Sequence, residues 1–213
     1  MRYVQKVNTP QFFIDDTTEL TQWDEYYANK KRNLKDYILK EEQSYLCIYC
    51  ESKISNISSH LEHIKPKHLD ISNLTFNYHN IVVSCDGTCH NNDADNTKYH
   101  CGHRKDRVDT AFEETKFLNP VAVLKIREYF KYNFDDFLIT PSEKGIEKAQ
   151  YMIDTLYLND GGLPKAREKA LEIFINKMKK ISDIKIRKEK MKQVLNNENI
   201  AFISFLKFKY STA

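Results

Sequence analysis

The chain has 213 residues, a formal net charge of +3 and 41% hydrophobic residues. These values predict one ordinary domain, or a small core with an extension, and five Gly with five Pro argue against a long disordered linker. The absence of an apolar run of roughly eighteen residues excludes a helical membrane span. The first residues lack the charged-then-apolar layout of a secretory signal. We therefore expect a cytoplasmic protein whose thiols stay reduced.

The chain divides into three predicted segments: residues 1–44, 45–108 and 109–213. Apolar residues recur at roughly helical intervals from Thr17 to about Glu42, which predicts an N-terminal helix. The last segment reads as mainly helical, because its apolar residues follow a similar period. Its predicted elements are a helix over Val121–Tyr132, a short strand over Phe134–Ile139, a helix capped by Ser142 and running through Leu158, a helix with Pro164 in its first turn, and a final helix over Ile200–Phe208.

The charge is unevenly distributed. Eleven Lys or Arg and four acidic residues lie between Lys165 and Lys192. This segment could meet a phosphate backbone, or it could be a solvated helix face. The sequence leaves both interpretations open.

The middle segment holds the unusual residues. All five Cys and all seven His lie between Cys47 and His103, roughly a quarter of the chain. Both residue types offer donor atoms to transition metals. Their clustering favours a metal-bearing module.

One half of a zinc site is visible as the CxxC pair Cys47 and Cys50, since two thiolates at this spacing can take adjacent corners of a Zn²⁺ tetrahedron. The other half must come from Cys85, Cys89 and Cys101. We favour Cys85 with Cys101, and Cys85 with Cys89 is the alternative. A redox role for the CxxC pair is disfavoured, because no thioredoxin-like βαβ pattern surrounds it.

Three further features follow in order. Glu62 and His63 precede Ile-Lys-Pro, Asn80 opens an apolar run into Cys85, and His103 and Lys105 follow Cys101. This order resembles the HNH (ββα-metal) endonuclease motif, with its letters at His63, Asn80 and His103. The resemblance implies an α+β fold with a zinc-stapled ββα core over residues 45–108, an N-terminal helix and a mainly helical C-terminal region.

The chemistry supports this interpretation. A His has an ordinary pKa near 6.5, so His63 suits a general base that takes a proton from water. The resemblance implies that Glu62 and His103 bind a catalytic Mg²⁺ or Mn²⁺. Asn80 would orient the loop or His63, and Lys105 could contact the phosphate. Adjacent strand residues point to opposite sides, so a strand end or bulge is needed to bring Glu62 and His63 to one site.

The match departs from the family pattern after the last zinc cysteine. Typical members place the helix His directly there, whereas this chain has Gly102, with His103 one residue later. His100 and His90 also lie nearby, so the third letter stays open. His60, three residues before His63, is a further candidate without an assigned role.

Residues 45–175 together resemble the HNH subunit of Septu anti-phage systems, PtuB, which also accompanies some retrons. The resemblance implies DNA as substrate, with RNA as an alternative, an ATPase partner resembling PtuA, and a role in phage defence. A different class of function also stays open: a non-catalytic zinc module that docks onto nucleic acid or a partner protein.

Overall fold

The fold is known from a computed structural model that describes residues 1–67, 74–88, 99–106 and 112–211. It is α+β, as expected. The helices and strands in chain order are α1 (Gln11–Thr17), α2 (Ala28–Ile38), β1 (Ser59–His63), β2 (Ile81–Cys85), α3 (Gly102–Lys105), β3 (Phe130–Tyr132), β4 (Ile139–Pro141), α4 (Ile146–Thr155), α5 (Leu163–Lys179), α6 (Ile184–Asn196) and α7 (Ile203–Ser211).

The N-terminal segment is helical but interrupted, so the prediction of one helix from Thr17 to Glu42 is wrong. The interruption has a local cause. Glu25 accepts hydrogen bonds from the backbone N–H groups of Thr21 and Gln22, at 2.8 and 2.9 Å. This cap holds Gln22 in an extended conformation and starts a 3₁₀ turn at Trp23. Helix α2 then begins at Ala28, and a π-helical turn over Leu39–Gln43 follows it.

The middle segment contains an antiparallel strand pair followed by a short helix. In the pair β1–β2, Ser59 lies opposite Cys85 and His63 lies opposite Ile81. All five residues of β2 are buried, because α2 covers one side of the pair. Helix α3 starts where the N–H of Gly102 donates to Ser84 Oγ, at 3.1 Å. The chain order is therefore β, β, α, with the helix fastened to the second strand.

A buried glutamine joins α2 to this strand pair. Gln43 Nε2 donates to the carbonyl oxygens of Leu46 and Val83, both at 2.8 Å. Its Oε1 accepts from the N–H of Val83, also at 2.8 Å. The side chain thus pairs with both backbone groups of Val83, whose carbonyl oxygen also accepts from the N–H of Ile48 at 3.1 Å.

Three details of the C-terminal segment differ from the prediction. Residues 121–125 form turns, and a 3₁₀ turn over Ile126–Tyr129 and strand β3 follow, instead of a helix over Val121–Tyr132. The predicted strand over Phe134–Ile139 is mostly the connection between β3 and β4. Helix α4 begins at Ile146 with Gly145 as its N-cap, and Ser142 does not cap it, since the Ser142 hydroxyl donates to the carbonyl of Glu128.

The other two predicted helices are present. Pro164 lies in the first turn of α5, and α7 begins within the predicted Ile200–Phe208 segment and extends beyond it to Ser211. Helix α7 fastens this region to the middle segment: Glu51 accepts hydrogen bonds from the N–H and hydroxyl of Ser204, at 2.8 and 2.5 Å. One hydrophobic core runs from Met1 to Leu206 through all three segments. Among the helices described, none is long and apolar enough to cross a bilayer.

Candidate active site and metal centre

Four buried cysteines form a compact cluster beneath β2 and α3. The sulfur atoms of Cys47, Cys50, Cys85 and Cys101 all lie within 4.8 Å of one another. Among the residues that the structure describes, no other group of three or more Cys, His, Asp or Glu side chains has its ligand atoms this close together. The structure brings together the set favoured from the sequence. Cys89, the alternative, and His90 lie outside the described residues.

The spacing of these sulfurs fits a tetrahedral metal ion. Zinc–sulfur bonds of about 2.3 Å place two tetrahedral ligands about 3.8 Å apart, and the Cys50 and Cys85 sulfurs are separated by 3.9 Å. The N–H of Cys85 also donates to Cys47 Sγ, at 3.3 Å. These residues could hold a metal ion such as zinc.

The last cysteine is positioned by the C-terminal region. Cys101 has a positive φ of 60°, uncommon for a residue other than glycine. Its N–H donates to the carbonyl of Leu156 at 2.8 Å, just after α4. His100 Nδ1 lies 3.2 Å from Cys101 Sγ and 3.6 Å from Cys85 Sγ. The cluster therefore depends on contacts from more than 50 residues further along the chain, which the motif alone does not reveal.

Glu62 is the centre of a second buried cluster, on one face of β1. Its Oε1 accepts from the Tyr49 hydroxyl at 3.0 Å and pairs with Lys105 Nζ at 3.0 Å. Its Oε2 lies 3.4 Å from His60 Nε2. The rings of His60 and His103 are in contact, with centroids 4.1 Å apart. Glu62, His60 and His103 thus meet at the start of α3.

Charge pairing keeps this buried carboxylate ionised. Burial would raise the pKa of Glu62, but Lys105 and then His60 outweigh burial and hold its pKa below the ordinary value. Burial would lower the pKa of Lys105, but Glu62 and Asp106 raise it above the ordinary value. The two groups therefore stabilise each other's charged forms, although both side chains are only 1% exposed.

Gly102 is the residue that lets this cluster close. A Cβ at this position would lie 2.5 Å from Glu62 Oε2 and 2.8 Å from His60 Nε2. Any side chain here would push the carboxylate and the imidazole away. The departure from the family pattern at Gly102 therefore has a steric reason: the glycine leaves room for His60, and His103 approaches from the next position.

The sequence analysis assigned no role to His60, although its spacing from Glu62 indicated that the two side chains lie together. Side chains two residues apart in a strand share a face, so His60 and Glu62 had to point to the same side of β1. The nitrogen His60 Nδ1 is buried without a hydrogen-bond partner. Tyr49 was also missed, since a tyrosine inside a CxxC knuckle gives no sign of its distant partner.

His63 points to the other face of β1, as strand alternation requires, and is the last residue of the strand. Its Nε2 lies 2.9 Å from the carbonyl oxygen of Thr75. A carbonyl only accepts hydrogen bonds, so Nε2 carries the proton and Nδ1 keeps the lone pair in the neutral ring. The ring packs edge-on against Trp23, with centroids 4.5 Å apart. Burial, with smaller contributions from Lys67 and Lys105, lowers the pKa of His63.

The side chain of Asn80 bonds to the backbone of Lys65 and Leu74, close to Thr75, the hydrogen-bond partner of His63. Its Oδ1 accepts from the N–H of Lys65 at 2.9 Å. Its Nδ2 donates to the carbonyls of Lys65 at 3.1 Å and Leu74 at 3.3 Å. Leu74 immediately precedes Thr75, so the amide fixes the carbonyl that orients the His63 ring. This is the geometry that a positioning role requires.

Lys105 is placed differently from the expectation of a phosphate contact. Its ammonium is buried and has three acceptors: Glu62, Asp106 at 2.8 Å and the carbonyl oxygen of His63 at 3.0 Å. An ammonium has three donors, and all are used within the protein. Lys105 therefore links the Glu62 face of β1 to the backbone of His63.

Comparison with known proteins gives one result that bears on function. The chain is 33% identical over 140 residues to a protein of Vibrio cholerae serotype O1 biovar El Tor named "Retron Vc95 putative HNH endonuclease". The alignment covers 62% of this chain and 61% of that protein, so the chain spans about three fifths of the relative's length. No family model matches the chain. The likeness supports a relationship to HNH endonucleases.

Proposed function

We propose that this protein is a metal-dependent HNH endonuclease that hydrolyses phosphodiester bonds in DNA. The observation that carries the proposal is the pairing of two half-sites on one strand: a carboxylate–histidine cluster on one face of β1 and the oriented His63 at its end. Together, β1, β2, α3 and the cysteine cluster would form a zinc-stapled ββα core within residues 45–108, between an N-terminal helical segment, 1–44, and a helical C-terminal region, 109–213.

Glu62 and His60 suit a divalent cation, with His103 beside them. Ligands at right angles around a cation with bonds of about 2.1 Å lie about 3 Å apart, and Glu62 Oε2 and His60 Nε2 are 3.4 Å apart. Gly102 lets the Glu62 carboxylate and the His60 imidazole lie this close together, and His60 Nδ1 is buried without a hydrogen-bond partner. When bound, Mg²⁺ or Mn²⁺ would stabilise negative charge on the phosphate and the leaving oxygen. The imidazoles favour Mn²⁺ over Mg²⁺.

His63 would act as the general base. Its lowered pKa keeps the ring neutral at pH 7, and Thr75 holds the tautomer in which Nδ1 can take a proton. Nδ1 removes a proton from water as the water oxygen bonds to phosphorus, and the bond from phosphorus to the leaving oxygen breaks. Asn80 keeps the ring oriented through the Lys65 and Leu74 backbone. Lys105 keeps Glu62 ionised.

The biological setting is proposed by likeness alone. The relative's name places it in a retron, and the sequence motifs resemble PtuB of Septu anti-phage systems. We accordingly propose a cytoplasmic role in phage defence with an ATPase partner resembling PtuA. Cleavage of RNA instead of DNA is the alternative substrate.

A second function class is favoured by one observation. Glu62 is deeply buried and already paired with Lys105, which suits a structural ion pair in a non-catalytic zinc module that docks onto nucleic acid or protein. Such a module and a nuclease would contain the same cysteine-bound metal, so metal content does not separate them.

The deciding experiment is cleavage of supercoiled plasmid and of single-stranded RNA with Mg²⁺ or Mn²⁺, each compared with EDTA. The wild type is compared with His63→Ala and with a matched control, His79→Ala, because His79 is exposed. Metal-dependent cleavage that His63→Ala abolishes and His79→Ala retains supports the nuclease. Equal cleavage by all three proteins points to a contaminant or to an active site elsewhere. No cleavage by any of them, with the ATPase partner added, favours the docking module.

A further inference from the structure

A groove lies between α2 and the start of β1, next to the candidate active site. Its volume is about 830 Å³. On the α2 side it is lined by Lys31, Arg32 and Lys35, with Trp23 among the lining residues. On the β1 side it is lined by residues 56–57 and 59–61, including His60.

The groove is positively charged. Three cations of α2 line it, and Asp36 is the carboxylate among its lining residues. The ammonium groups of Lys31 and Lys67 lie over the Trp23 ring, 5.0 and 5.7 Å from its centroid. A cationic groove with an aromatic side chain is the usual surface for a nucleic-acid strand.

The groove and the candidate active site share a wall. His60 lines the groove, and the same imidazole contacts Glu62 and His103. Trp23, which also lines the groove, packs on the His63 ring. The groove therefore borders both half-sites of β1, one through His60 and the other through Trp23.

The groove is also held in shape by the protein itself. Lys35 Nζ donates to the carbonyl of Ser59 at 2.6 Å, which ties α2 to the first residue of β1. Asn56 Nδ2 donates to the carbonyl of Arg32 at 3.2 Å. Lys31 and Arg32 also line the groove, and their side chains form no hydrogen bond with the residues of β1, all of which the structure describes.

We propose that this groove binds the sugar–phosphate backbone of the nucleic-acid strand that is cleaved, with Lys31 and Arg32 as phosphate contacts. The inference rests on the proposed nuclease function and adds the path of its substrate. It assigns binding to the N-terminal segment and not to the basic stretch Lys165–Lys192. In that stretch, the groove between α6 and α7 holds Lys188 and Lys192, and none of its lining residues belongs to the candidate site.

The test compares two charge reversals of equal size. Lys31→Glu/Arg32→Glu changes the groove, and Lys188→Glu/Lys192→Glu changes exposed lysines of α6. Binding of a fluorescent oligonucleotide is measured by anisotropy, without added divalent metal, over a range of salt concentrations. Cleavage with Mn²⁺ is measured on the same proteins. The milder pair Lys31→Gln/Arg32→Gln guards against misfolding.

The groove variant should bind at least about tenfold more weakly, and its salt slope should fall by about 1.4 to 1.8, the value for two lost phosphate contacts. The α6 variant should bind and cleave like the wild type. If the wild type cleaves and the groove variants bind equally well, or if the α6 variant shows the same loss, the groove assignment is wrong. Failure of the wild type to cleave, with loss of binding confined to the groove variants, would refute the nuclease but not the groove.

Discussion

Replacement of Lys105 by methionine tests the buried ion pair that underlies the candidate site. Methionine keeps the length of the side chain but removes its charge. Glu62 would then be left buried without its main partner, while Tyr49 and His60 remain. Breaking a buried pair from one side typically costs about 3 to 5 kcal/mol, because an uncompensated charge stays in the interior. This is a large part of the stability of an ordinary domain, about 5 to 15 kcal/mol.

The free energy of unfolding that is lost in Lys105→Met should depend on residue 62 and on pH. In the wild type the pKa of Glu62 is lowered, so the pair stabilises the fold above the ordinary carboxyl pKa, and this contribution fades as the pH falls. In Lys105→Met, burial dominates and the pKa of Glu62 rises, so the ionised form destabilises the fold at pH 7. The cost of the substitution should therefore shrink between pH 7 and about pH 4. In a Glu62→Gln background the cost should fall to the smaller loss of the Lys105 bonds to Asp106 and to the His63 carbonyl.

Urea unfolding provides the assay, since the protein has one tryptophan and it packs against His63. With a slope of about 2.5 kcal/mol per M, the midpoint should fall by about 1 to 2 M at pH 7. The four proteins of the double-mutant cycle are compared at each pH. A cost below about 1 kcal/mol, or one that is independent of pH and of residue 62, would refute the reasoning.

Three further predictions follow from the site. Asn80→Ala should cost about 1 to 3 kcal/mol in urea unfolding, because it removes the side-chain partner of the partly buried N–H and carbonyl of Lys65 and one of the two donors to the Leu74 carbonyl, and cleavage should fall with it; unchanged cleavage would remove its positioning role. The protein should contain one zinc per chain by elemental analysis, and chelation or Cys101→Ser should unfold the core, since structural zinc binding contributes about 10 kcal/mol or more; a full thermal transition without metal would contradict this. Cleavage at pH 6.5, where an ordinary histidine is half protonated, should stay above half of its pH 8 plateau, because the pKa of His63 is lowered; a rate at pH 6.5 at or below half of that plateau would argue against His63 as the base.

The cysteine set illustrates what the sequence could predict. CxxC spacing and the requirement for four ligands narrowed the choice to Cys85 with Cys101 or with Cys89. The local pattern could not decide between them, because Cys101 is held by Leu156 from the C-terminal region. Long-range backbone contacts of this kind leave no signal in the spacing of a motif.

Strand alternation was the most informative physical rule for the candidate site. It placed Glu62 and His63 on opposite faces of β1, as the structure has them, and it could also have placed His60 beside Glu62. The position of Lys105 was not predictable, since a lysine in a motif suggests a phosphate contact until its burial is known. The N-terminal helix failed as a prediction because the short-range cap at Glu25 outweighs helical periodicity.

Whether His63 is the general base of an active site on β1 is decided by the rate of metal-dependent plasmid cleavage. His63→Ala is compared with the wild type and with His79→Ala. A general base contributes about 10²- to 10⁴-fold. We expect the cleavage rate of His63→Ala to fall by at least about 100-fold. The rate of His79→Ala should be unchanged, and all three proteins should be equally folded. Cleavage by His63→Ala within a few-fold of the wild type would contradict the assignment of the active site to this end of β1.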